Sequence, residues 1–330
     1  MRGSGRGAAL IAVLLSSCAP QSRAVPASAV TTPSAVAPAP VAAPPPSASS
    51  LPTAVGRPCG KVNCRIFETA ADAFAPVLAA SPRVVGVGEA HALAGTEGVE
   101  PATRRFTRDL LPLLRGKASD IVVELLLPNA SCRREAEKAR QEQKVVTEKQ
   151  APADQNDYVA LANAARALGI VPHALEPTCD DLARIAAAGR DAVVASLDVV
   201  TRLARENLTR LYEQNAARSD PRFVVGYGGA MHNDVDPRPG REQWSFGPEL
   251  ARLTGGRYVE VDLIVPEFIS DSPAWQALPW LPFYDAGAHP ESVTLLTPKN
   301  DSFVIVFART SSAEGRYSVP SSPGSGGGGG

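Results

Sequence analysis

Residues 83–91 read RVVGVGEAH. A run this apolar, rich in valine and thinned by two glycines, predicts a strand covered on both faces, as strands of a parallel sheet are. Three more runs have the same character: DIVVELLL (120–127), IVPHAL (170–175) and RFVVGYG (222–228). Further β-rich runs follow at 257–265, 292–297 and 302–308. Helical segments lie between them. PATRRFTRDLLPLL (101–114) places Pro101 near a helix start and Phe106, Leu110, Leu111 and Leu114 on one stripe. DQNDYVALANAARALG (154–169) opens on a capping residue and ends at Gly169, and residues 189–219 form the longest helix. SCRREAEKARQEQKVVTEKQ (131–150) is so charged that it reads as a solvent-facing helix or an excursion beyond the sheet. Alternation of this kind predicts an α/β fold, a single domain whose mostly parallel central sheet is flanked by helices. The last two runs, joined by PKND (298–301), predict a C-terminal β-hairpin, which makes the sheet mixed.

The chain around this block is of different character. Arg2 and Arg6 precede a short apolar run, Ala8 to Leu15, and then Ser16, Ser17 and Cys18. That run is too short for a membrane-spanning helix, which takes about 20 residues. Small residues leading to a cysteine resemble the lipobox of bacterial lipoproteins. The resemblance implies a signal peptide over 1–17, cleavage before Cys18 and lipid on its sulfur. The product is then exported and anchored to a bacterial membrane, on its periplasmic or cell-surface side. An ordinary secretory signal with an incidental cysteine also exports the chain. Residues 18–58, rich in Ala, Pro and Ser, read as a semi-rigid tether. Residues 59–316 are the folding domain, and 317–330, ending in SSPGSGGGGG, are a flexible tail.

Net charge is −1, and no basic stripe is present, which argues against nucleic acid as a partner. Apart from Cys18, the cysteines are Cys59, Cys64, Cys132 and Cys179. An even number in an oxidising compartment predicts disulfides, paired Cys59–Cys64 and Cys132–Cys179. A zinc site built on Cys59 and Cys64 is the alternative, but no further Cys or His pair of ligand spacing accompanies them.

Ligands of open α/β sheets bind beyond the carboxyl ends of the strands. The first run delivers Glu89 and His91, two apart and so projecting to one side of an extended chain. The second carries Glu124 among aliphatic residues, where an ionised carboxylate is costly unless paired, hydrogen-bonded, metal-bound or protonated. The third carries His173 and runs into Glu176. Alternation puts these two on opposite faces, so His173 reads as structural. The fourth delivers GYGGAMHND (226–234), with Tyr227, His232 and Asp234. His289 falls in a Pro/Gly-rich loop and reads as exposed. GEAH and GAMH are both Gly-x-x-His following a β-rich run. Two histidines and two carboxylates at one rim suit a divalent metal, or equally a metal-free acid–base set.

These paired motifs, with a glutamate on an intervening strand, resemble the superfamily that joins erythromycin esterases, ChaN-type haem-binding lipoproteins and the TraB/Tiki proteins. VVGVGEAHALAGTEG is similar to the erythromycin-esterase and ChaN pattern, and FVVGYGGAMHND to the late Gly-x-x-His. The resemblance spans residues 83–265 and implies an α/β domain with Glu89, His91, Glu124 and His232 as catalytic residues. It implies three activities. Tiki-like members imply metal-dependent peptide hydrolysis, with those four residues holding a divalent Mn, Co or Zn ion. Esterase-like members imply a histidine general base acting on water, and ChaN-like members imply haem. The chain departs from these branches in lacking an arginine directly after the first histidine.

The leading expectation is a lipid-anchored hydrolase of an ester or peptide bond, acting on a small-molecule or peptide substrate. A haem-binding surface lipoprotein is the second, with Tyr227, His232 or His91 as axial ligand and Tyr258 and Trp244 lining the pocket. A scaffold that keeps the fold without chemistry is the third.

Overall fold

The computed structural model describes residues 56–59, 63–147 and 154–310. The signal sequence, Cys18, most of the tether and the 317–330 tail lie outside them. The strands are β1 (Arg57–Pro58), β2 (Cys64–Phe67), β3 (Val84–Glu89), β4 (Ala118–Leu126), β5 (Val171–Leu175), β6 (Phe223–Gly229), β7 (Tyr258–Ile264), β8 (Val293–Lys299) and β9 (Ser302–Val306). They form one sheet in the order β1-β2-β8-β9-β7-β3-β6-β4-β5. The block from β9 through β5 is parallel. The β1–β2, β2–β8 and β8–β9 pairs are antiparallel. All the expected strands form, and β8 and β9 make the expected hairpin. β1 and β2, short and only partly apolar, add an antiparallel edge that the run-by-run reading does not contain.

The helices are α1 (Ala70–Ala79), α2 (Ala102–Arg105), α3 (Arg133–Thr147), α4 (Asp154–Ala167), α5 (Cys179–Ala187), α6 (Ala192–Ala217), α7 (Gly247–Leu253) and α8 (Pro273–Gln276). Two apolar layers sandwich the sheet. One joins Val85, Val87, Ile121, Val123 and Tyr227 to α1, α2 and α4 through Phe74, Ala102, Tyr158 and Leu161. The other joins Val84, Val122, Leu126, Val224 and Tyr258 to α5, α6 and α7 through Leu182, Leu208 and Leu250. Successive strand residues fall in alternate layers, as the two-residue period of a pleated strand requires.

The 101–114 segment is one helical passage of changing pitch. α2 opens into a π turn at Phe106–Leu110 and closes as a 3-10 turn at Leu111–Leu114. Pro112 has no N–H to donate, so the α pattern cannot continue through it. The charged α3 is less solvent-facing than its composition suggests, because Ala136, Ala139 and Gln143 are buried. A disulfide ties its approach to the start of α5, Cys132 to Cys179, with Cα atoms 4.9 Å apart. Cys59 and Cys64 form the second disulfide across the β1–β2 turn. Both pairings match the expectation.

β3 and β6 are neighbours whose exits diverge. From β3 the chain passes through α2 to β4, beyond β6, whereas from β6 it passes through α7 to β7, beyond β3. The two connections cover opposite layers, so a crevice opens at the carboxyl ends of β3 and β6. This is the switch point where open α/β sheets place ligands.

Candidate functional site

Glu89 ends β3 at this crevice and turns its side chain into the α4 layer, 5 % exposed. Three hydroxyls donate to it: Tyr158 to Oε1 at 2.9 Å, Tyr227 to Oε2 at 2.6 Å and Thr103 to Oε2 at 2.7 Å. Burial and the adjacent Glu89 charge push the pKa of both tyrosines well above the usual phenol range, so both stay protonated donors. Tyr227 packs on Phe106 at 4.8 Å between ring centroids, beside the π turn, and Tyr158 meets Tyr227 edge-on at 5.9 Å. His91 follows, its side chain 7 % exposed, with Nδ1 3.3 Å from Glu89 Oε1 and 3.2 Å from the Tyr158 oxygen. Because the Tyr158 proton is committed to Glu89, both neighbours of Nδ1 are acceptors. Nδ1 therefore carries a proton.

Glu124 and His232 lie on the other face. Glu124 alternates with Val122 and Leu126 into the α6 layer, where Oε2 accepts the Gly229 N–H at 2.6 Å. His232 sits in the turn after β6, 2 % exposed, with Nδ1 2.9 Å from both the Trp244 carbonyl and Thr201 Oγ1. A carbonyl only accepts, so Nδ1 is again the protonated nitrogen. Nε2 then faces Glu124 Oε1 at 3.8 Å. Neither of these atoms has another hydrogen-bond partner among the described residues. Both wall a cavity of about 10 Å³, together with Gly228, Gly229 and Asn233, roughly the space of one water.

The four expected residues are thus two pairs on opposite faces of one sheet edge rather than one ring. Glu89 meets His91 and Glu124 meets His232, but they do not share a single ligand shell. Among the described residues, the one His/Cys/Asp/Glu group compact enough for an ion is Asp234, Glu260 and Asp262. Two buried polar atoms facing each other call for a species that satisfies both. A bridging water does so, and so does a small divalent ion, for which Asn233 Oδ1, also without a partner, supplies a third ligand atom on the same cavity.

Glycines make this arrangement possible through close approach. A Cβ on Gly228 would collide with the Glu124 carboxylate, and one on Gly88 with Asn233 and the Ala230 backbone. The remaining sequence candidates are elsewhere. His173 pairs with Asp120 at 2.8 Å, away from the crevice and in keeping with a structural role. Glu176 and His289 are exposed. Tyr258 donates to the Asn233 carbonyl at 2.6 Å, and the Trp244 indole donates to Asp198 at 2.9 Å, so both act as supports. Thr103, Tyr158, Thr201 and Asn233 were not among the sequence candidates. Tyr158 carried one faint signal, a hydroxyl on the stripe shared with Leu161 and Ala165.

No family model matches the sequence, and no curated protein matches it. A solved structure from Bacillus cereus is similar at a TM-score of 0.35 and 11 % identity, covering 72 % of this chain and 91 % of that one. The type III effector HopBA1 is similar at 0.33 and 14 % identity, covering 76 % of this chain and 98 % of that one. Likeness at this level carries neither fold nor function.

Proposed function

We propose that the chain is an exported, lipid-anchored hydrolase of ester or amide bonds, with His91 as general base. The observation that supports this most is the Glu89 carboxylate. Fixed by three hydroxyl donors, it holds the proton on His91 Nδ1 and so presents Nε2 as a base. Water adds its oxygen to the carbonyl carbon while its proton passes to Nε2. The C–O or C–N bond then breaks, and the imidazolium returns the proton to the leaving oxygen or nitrogen. The Glu89 charge stabilises the imidazolium between the two steps. On the other face, Glu124 Oε1 and His232 Nε2 are placed to hold a second water. A divalent ion, if bound, would be held there with Asn233 and would supply Lewis-acid activation.

The haem reading draws less support. Tyr227 donates its hydroxyl to Glu89, and His232 is 2 % exposed beside a cavity of about 10 Å³. The test is a broad ester and peptide panel, run on wild type and His91→Ala together with elemental analysis and a visible spectrum. Turnover that disappears in a folded His91→Ala protein supports the proposal. A wild type that hydrolyses nothing on the panel, or a Soret band on micromolar haem addition, sinks it.

A further inference from the structure

Two residues after His232, the chain contributes to a second polar cluster. Glu260 and Asp262 stand two apart on one face of β7, and Asp234 joins them from the turn after β6. One ligand oxygen from each lies within 4.8 Å of the others. They wall a cavity of about 70 Å³ with Val235, Arg238, Ser302 and Trp280, large enough for more than one water. Glu260 and Asp262 are each 7 % exposed. Burial raises the pKa of all three carboxyls, and Glu260 pushes Asp234 and Asp262 higher still.

The carboxylates are held in place. Asn233 Nδ2 donates to Asp262 Oδ1 at 3.1 Å, the Val235 N–H to Glu260 Oε2 at 2.6 Å and Ser302 Oγ to Glu260 Oε1 at 3.1 Å. Supporting donors of this kind orient the ligands of metal sites. Trp280 is a separate sign of a ligand. It walls the same cavity, is 3 % exposed, and its buried indole N–H has no acceptor among the described residues. Such a donor calls for an oxygen beside it, and an oxygen in the shell of a bound ion serves.

We propose that Asp234, Glu260 and Asp262 bind a calcium ion, with Trp280 donating to an oxygen of its coordination shell. An all-oxygen, carboxylate-rich set selects a hard cation. Ligands about 2.3–2.6 Å from calcium stand up to about 5 Å apart across the ion, whereas magnesium at about 2.0–2.1 Å spans only about 4.2 Å. The three oxygens all lie within 4.8 Å of one another, a spread that the ligand shell of calcium spans. Bound there, the ion fixes residues 233–235 and through them the turn that carries His232. The inference does not depend on catalysis.

The test uses the purified full-length chain, stripped with a chelator and titrated calorimetrically with CaCl2, MnCl2 and MgCl2. One calcium site at least tenfold tighter than the magnesium site is expected, with a Tm that climbs as calcium is added. Terbium in the same site is to be excited through Trp280, and Trp280→Phe is to remove most of that emission while calcium still binds. Asp234 is only half-buried, so Asp234→Asn is to fold and to lose affinity at least tenfold. Glu260→Gln with Asp262→Asn is to abolish binding and yet raise Tm in chelator, because two repelling buried charges are gone. A purely structural role predicts a lower Tm. A folded protein that binds no calcium at about 10 mM, well above even weak extracellular calcium sites, overturns the proposal. So does an Asp234→Asn titration identical to wild type, or magnesium binding tighter than calcium.

Discussion

Glu89 shows how much of a site's chemistry lies in groups that do not themselves react. Its carboxylate is buried, and hydroxyls from α2, α4 and β6 satisfy it. Tyr227→Phe removes one of three donors from a buried carboxylate, and such a loss costs about 1–3 kcal/mol. A lower urea midpoint at an unchanged m-value is the expected result. If His91 is the base, His91→Ala and Glu89→Gln each lower kcat by about 10²- to 10⁴-fold, the range of general-base contributions. Circular dichroism is to confirm that both variants fold. Gly228→Ala tests the other face. Its Cβ would displace Glu124, so the cavity shared with His232 is lost while Glu89 and His91 stay as they are. A crystal structure of that variant, with Glu124 in a new rotamer, checks this.

Among the elements, α3 and α5 are held together by packing and by a disulfide. α3 has few apolar side chains with which to dock, and Ala136 and Ala139 make the small contact surface it offers. The Cys132–Cys179 bond supplies the remaining constraint across 47 residues. Closing a loop of that size lowers the denatured-state entropy by the equivalent of about 4 kcal/mol. Replacing both cysteines with serine is therefore expected to lower stability by up to that amount and to speed proteolysis first within 131–157. Limited proteolysis followed by mass spectrometry reads this directly. α5 itself begins with a capping box, Thr178 with Asp181. Its sequence lacks the long apolar run that made the other helices stand out.

For the molecule as a whole, the response to acid runs through the Asp120–His173 pair on β4 and β5. Asp120 on β4 is pushed up by burial, but hydrogen bonds with His173 and Ser119 outweigh this and its pKa falls below the ordinary value. A depressed carboxyl stabilises the fold above its unfolded pKa of about 3.9, and the contribution is lost as pH falls through the lower folded value. Arg218 adds to the same field. Asp120→Asn is therefore expected to flatten the loss of stability below about pH 4, measured as urea midpoints from pH 3 to 6. An unchanged slope would remove this pair from the acid response.

The sequence alone determined seven of the nine described strands, because continuous apolar runs of that length have few alternatives to a covered sheet. It determined both disulfides, since the four cysteines besides Cys18 leave few pairings and one is local. It also put Glu89 beside His91, because two residues along a strand return to the same side. What it did not determine was the face. Glu89 and Glu124 read alike as carboxylates on apolar strands, but the pleat and the strand order send one to α4 and the other to α6. Partners such as Thr103, Tyr158, Thr201 and Asn233 come from other elements, and no spacing in the chain records their approach. The Asp234, Glu260 and Asp262 cluster likewise exists only because β7 lies beside β3, next to the turn that leaves β6. Periodicity fixes what a residue does within its own strand, and only tertiary packing decides which distant side chain satisfies its charge.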